Sequence, residues 1–223
     1  MNYLLLIFAV LLSFAFVYIA KPKNKNHFKL LLAFSGAFLL ALTVFELLPE
    51  AYEKADTQIV GVFIMLGILL QIFLEFFSKG AEHGHVHIDE GKTDLPMLLF
   101  ASLCVHSLLE GFPIEKHSSI LYGIIVHKIP IAIILSIFLL NSKIKFGKAL
   151  VFIIAFSLMT PLGSYFSTNF DFVEEYYAPI TALVIGVFLH ISTVILFESS
   201  EGHQFNLRKI VVIVLGIGMA YLL

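Results

Sequence analysis

Apolar residues run along this chain in long stretches, each closed by a cluster of charged or loop-forming residues, and no stretch shows the period-two alternation of a half-buried strand. The stretches fall at 3–20, 28–48, 58–77, 95–113, 118–140, 146–166, 178–197 and 207–223. A bilayer core of about 30 Å takes roughly 20 helical residues per crossing. The pattern therefore predicts eight membrane helices joined by short loops: an all-α polytopic bundle forming a single transmembrane domain over 1–223. The last stretch fits least well, because it ends with the chain and its uninterrupted apolar part is short. The first has no Lys or Arg before it, and Tyr18 stands where a cleavage site after Ala20 needs a small residue. It is expected to be the first membrane helix rather than a leader.

Composition agrees with this pattern. Of the residues 59% are hydrophobic and 13% charged, well above the apolar share of a soluble domain. The formal net charge of -2 points to no nucleic acid, and the single cysteine, Cys104, excludes an intramolecular disulfide and a thiolate metal cluster. Charge placement adds an orientation. Eleven lysines and arginines fall in the odd-numbered loops, with only Lys54 and Lys116 in the even-numbered ones and Lys128 inside a helix. By the positive-inside rule the odd loops face the cytoplasm and both termini lie outside. The expected location is the plasma membrane or a bacterial inner membrane. The acidic loops with Glu50, Glu53 and Asp56, and with Asp171, Glu174 and Glu175, then face outward.

An ionisable group inside a membrane helix is costly, so it pairs, lines a water cavity or binds something. The fourth and fifth spans concentrate such groups. His106 and Glu110 stand four residues apart, one turn along one helix face, with Ser107 beside them. His127 and Lys128 lie in the fifth span, one turn before the kink-prone Pro130. His106 is about 16 Å from the cytoplasmic start of its span and His127 about 13 Å from the outer start of its own, at 1.5 Å per residue. In antiparallel neighbours these depths nearly coincide. Two imidazoles and a carboxylate at the midplane suit Zn²⁺ and neighbouring first-row ions. Gly111 and Gly123 leave room for close helix packing.

The run His106-Ser107-Leu108-Leu109-Glu110-Gly111 and the run His127-Lys128-Ile129-Pro130 resemble the paired signature of the ZIP family of metal importers. Glu46-Leu47-Leu48-Pro49-Glu50-Ala51, the histidine-bearing loop after the third span, and Pro161-Leu162-Gly163 in the sixth resemble the family too. The resemblance implies uptake of Zn²⁺, or of Fe²⁺, Mn²⁺ or Cd²⁺, as transported substrate rather than as cofactor. It also implies movement of spans one, four, five and six against two, three, seven and eight. Many members hold two metals, with a carboxylate at the position of Lys128 and an acid or histidine at that of Ile131. Both are missing here, so one metal is expected on His106, Glu110 and His127, with Ser107 at its edge and the Lys128 ammonium paired to Glu110. Glu46 replaces the family's usual histidine at the outer end of the second span and can still receive a cation.

Weaker signals lie outside the cluster. His83, His85 and His87 alternate in the loop 78–94 beside Glu82, Asp89 and Glu90, a composition that holds metal loosely or simply forms a polar loop. His190 and Glu198 are candidate pathway residues, although packing suits His190 equally, and snorkelling or capping suits Glu198 and Glu75 better. Cys104 points away from His106, and packing accounts for it. Gly61 and Gly67 offer close-packing positions in the third span, and a homodimer is left open. Two rival functions use the same ligands: an intramembrane zinc hydrolase, and a membrane metal sensor or binding protein. The chain has no His-Glu-x-x-His, and Glu110 is already used as a ligand, so no general base is evident and no enzyme is expected.

Overall fold

The computed structural model describes residues 2–22, 25–78, 97–198 and 207–223, the side chains of residues 2, 25–27 and 198 excepted. Every regular element among them is helical. They are α1 (Asn2–Ala20), α2 (Lys25–Leu42), a π-helical turn (Thr43–Leu47), α3 (Leu48–Lys54), α4 (Thr57–Ser78), α5 (Met97–Glu110), α6 (Ser118–Asn141), α7 (Phe146–Asn169), α8 (Asp171–Glu175), α9 (Tyr177–Glu198) and α10 (Leu207–Tyr221).

Six helical stretches have the length and apolar character to cross a membrane: Tyr3–Ala20, Phe28–Lys54, Thr57–Ser78, Ser118–Asn141, Phe146–Asn169 and Tyr177–Phe197. The fourth and eighth predicted spans appear as shorter helices of 14 and 15 residues, each starting at the edge of the described residues. The predicted second span stops too early at Leu48. Its helix continues through the π turn into α3 and ends at Lys54, because Pro49 sits in the first turn of α3, where a missing N–H is tolerated. The fourth span ends at Glu110 rather than at Pro113. Gly111 and Pro113 close the helix there, and a run of tight turns follows. A short helix, α8, interrupts the predicted sixth loop.

The lipid-facing surfaces are legible in what stays exposed. Leu4, Leu5, Phe8, Leu12 and Phe16 line one side of α1, and Leu66, Leu69, Phe73 and Phe76 one side of α4. Apolar faces of this extent on single helices suit hydrocarbon rather than water.

Inside, α1 packs on α6 and α7, α5 on α7, α4 on α9, and α2 on α10 and α9, while α2 also meets α6 and α4 meets α5. Backbones come closest at two of these crossings. A Cβ at Gly163 would stand 1.9 Å from the Leu108 carbonyl oxygen, and one at Gly186 2.1 Å from that of Ile64. Of the predicted packing glycines, Gly67, Gly111 and Gly123 meet neighbours closely, whereas Gly61 has nothing within 4 Å. The apolar core divides in two. One cluster gathers Phe14, Leu103, Ile131, Phe152 and Phe156, the other Leu6, Phe38, Leu42, Ile124 and Phe188. Along α6 the sequence passes from Ile124 in the second to Ile131 in the first, and His127 falls between them.

Candidate metal centre

His106, Ser107 and Glu110 are all buried on α5, because a helix that is apolar on its other faces turns this polar stripe toward α6 and α7. His127 and Lys128 are buried on α6 opposite them. Pro130, also buried, removes the N–H that would have bonded the Val126 carbonyl, loosening the helix one turn from His127.

The two oxygens of Glu110 face different partners. Oε1 lies 2.9 Å from His106 Nε2 and 3.8 Å from His127 Nε2. Oε2 lies 2.7 Å from Lys128 Nζ. The imidazole rings stand 6.4 Å apart, centroid to centroid, and nearly perpendicular. One ligand atom from each of His106, Glu110 and His127 falls within 4.8 Å of the other two. Donors that each sit about 2 Å from a common ion stand roughly 3–4 Å apart, so a small inward adjustment of these side chains brings the three to the spacing of a shared ion. The depths expected from residue counting do bring the two histidines together.

Lys128 is held on three sides. Its ammonium donates to Glu110 and, at 2.5 Å, to Ser107 Oγ, and it lies 4.9 Å from the centroid of the Phe156 ring. Ser107, expected at the edge of a metal, thus serves the lysine. Thr160 of α7 secures that corner by donating at 2.8 Å to the Ser107 carbonyl, and Gly111 keeps α5 and α7 close enough for this bond.

Two residues of this constellation escaped sequence reasoning. Thr160 reads as an ordinary helix residue before Pro161. Gln71 lies fully buried in α4, where its Oε1 accepts from His106 Nδ1 at 3.3 Å. The signal for Gln71 was present: a carboxamide in an otherwise apolar helix must find a partner.

Other candidates lie apart from the triad. Glu46, half-buried in the π turn, accepts from Ser119 Oγ at the start of α6. One turn on, Glu50 pairs with His117 and with Lys54. Glu75, for which the sequence favours snorkelling or capping, meets His190 Nε2 at 2.7 Å. His83, His85, His87 and the Glu198 side chain lie outside the described residues. Among the described residues no second group of three metal-ligand side chains converges.

Membrane-length apolar helices around a buried histidine, carboxylate and ammonium cluster define an integral membrane protein with ionisable groups gathered in its interior. The family model described as ZIP zinc transporter matches residues 82–223, and the chain belongs to that family. It is similar to the protein zntD of Dictyostelium discoideum, 30% identical over 167 residues, which cover 64% of this chain and 24% of that protein. It is also similar to zinc transporter ZIP1 of Danio rerio, 34% identical over 93 residues, covering 38% of this chain and 30% of that one. The chain thus spans under a third of the length of each of these relatives.

Proposed function

We propose that this protein imports a divalent metal ion, Zn²⁺ foremost, binding one ion at a time on His106, Glu110 and His127. The observation that carries this reading is the division of Glu110: one oxygen faces both histidines, and the other is occupied by the Lys128 ammonium. A second metal on that far oxygen would meet a fixed positive charge at contact distance, which a low-dielectric interior makes strongly repulsive. Lys128 therefore supplies the charge of a second ion without supplying a ligand. Nitrogen and oxygen donors suit zinc, and one of the relatives cited is named a zinc transporter, as is the family.

In this reading α5 and α10 are the fourth and eighth of eight spans, the termini face outward, and metal moves toward the cytoplasm. The helix contacts support a grouping of α1, α5, α6 and α7 against α2, α4, α9 and α10, with the ligands on the first group and Gln71 on the second. A site lying between such groups suits alternating access. Glu46 and the Glu75–His190 pair are stations along the route, and His83, His85 and His87 receive the ion as it leaves.

The test is ⁶⁵Zn²⁺ entry into liposomes containing the wild type, Glu110→Ala or His106→Ala at equal incorporation. Entry by the wild type alone is expected. Binding without entry by the wild type would favour a sensor, and entry by both variants would remove the site from the pathway.

A further inference from the structure

The second ring nitrogen of His106 is bonded across to α4, a helix of the other packing group. Its Nε2 faces Glu110 Oε1 at 2.9 Å, on the metal side. Its Nδ1 faces Gln71 Oε1 at 3.3 Å, on the far side. A carboxamide oxygen only accepts, so Nδ1 must carry the proton and Nε2 is the nitrogen left for a metal. Gln71 is fully buried, and among the described residues its Nε2 has no hydrogen-bond partner. An amide buried at that cost for a single bond to one imidazole is placed for what the bond does.

We infer that Gln71 is a positioning residue for the metal site: its carboxamide oxygen fixes the tautomer and ring orientation of His106 and so sets the affinity of the site for its ion. The inference rests on the proposed role of His106 as a ligand. Location makes Gln71 specific to that role. It lies one turn beyond Gly67, whose missing side chain lets α4 settle on the backbone of α9 near Leu183 and Gly186. That contact fixes the height of α4 and brings the carboxamide level with His106. The apolar residues around it, Leu74 and Ile64 on the same helix, offer the imidazole nothing to bond.

Partners that orient a ligating histidine are worth about 10–100-fold in metal affinity. The experiment compares the full-length wild type with Gln71→Leu, Gln71→Met, Gln71→Glu and His106→Ala. Zn²⁺ binding is measured at equilibrium in detergent, the Co²⁺ absorption spectrum of the site is recorded, and KM and Vmax of ⁶⁵Zn²⁺ uptake are measured in liposomes. Gln71→Leu and Gln71→Met should raise Kd and KM by about 10–100-fold, leave Vmax within about twofold, and shift the Co²⁺ bands. Gln71→Glu keeps an acceptor oxygen for Nδ1 and should restore Kd to within a few-fold of the wild type. Wild-type Kd and spectrum in both apolar variants would overturn the inference, as would a Glu variant weaker than the Leu one, the mark of simple packing. If His106→Ala binds as tightly as the wild type, the ligand assignment itself fails, and with it the role of Gln71. If the wild type binds Zn²⁺ without carrying it, transport fails alone and the Kd comparison still decides.

Discussion

Among the described residues, two histidine–carboxylate pairs, one within a helix and one between helices, approach to nearly the same distance. His106 and Glu110 approach to 2.9 Å, and His190 and Glu75 to 2.7 Å. Both lie close to a glycine crossing, Gly111 with Gly163 for the first and Gly67 with Gly186 for the second. What separates them is burial. The side chains of the first pair are 3% and 1% exposed, and those of the second 15% and 25%. A partly exposed pair is only partly desolvated, so less has to be offset. A fully buried carboxylate has no water to fall back on, and its desolvation must be offset by fixed groups. Glu110 accordingly gathers an ammonium and a second imidazole, and His106 takes Gln71 behind it. Burial thus gathers further fixed groups around an ordinary pair, and it is this constellation that the proposed metal site uses.

That contrast breaks most sharply at the carboxylates. Glu110→Gln leaves Lys128 buried without its counter-charge. Uptake should fall to background and the fold should lose about 3–5 kcal/mol, read by thermal unfolding in detergent. Glu75→Gln, made at the same separation from a histidine, should lower uptake by no more than a few-fold. Equal losses from both would show that burial does not distinguish the two pairs.

A smaller effect is expected from Lys128→Ala. The change removes a charge but no ligand, so uptake should weaken by about tenfold, equivalent to about 1.4 kcal/mol, while Zn²⁺ remains the preferred ion. Unchanged transport and metal preference would argue that the ammonium is a passive filler. A gain of a second bound metal, counted by elemental analysis, would instead support its role as the substitute for that ion's charge.

The smallest effect separates packing from chemistry. Gly163→Ala and Gly186→Ala each push a methyl onto a backbone carbonyl, of Leu108 and of Ile64 respectively. Each should cost about 1–3 kcal/mol of stability, whereas Gly147→Ala, with nothing within 4 Å, should leave the melting temperature unchanged. If the two crossing variants melt alike and both weaken Zn²⁺ binding, each crossing positions the site as well as packing the helices, whereas wild-type binding in Gly186→Ala would show that the height of α4 does not set the bond from Gln71 to His106.

Several features of this protein follow from its order of residues alone. Apolar runs of membrane length dictate helices, because hydrocarbon leaves backbone groups no partner but their own chain. The four-residue step from His106 to Glu110 fixes a shared face, because the helical repeat is set by backbone geometry. Counting rise per residue placed His127 level with His106, and the two rings do lie side by side. Helix ends were less legible at the second span, where a π turn carries the helix past Pro49, and at the fourth, where Gly111 stops it early.

Other features exist only once the helices pack. Nothing in the local sequence says that Glu110 divides its oxygens between Lys128 and the histidines, since the side chains of α5 and α6 meet only once the bundle is packed. Ser107 and Thr160 are 53 positions apart, and Gln71 and His106 are 35. Those bonds depend on two glycine crossings that set helix height to within a fraction of a turn. Sequence determined which groups are costly to bury. Tertiary structure decided which of them meet, because hydrogen bonds and ion pairs act over about 3 Å while helix positions are set by contacts along their whole length.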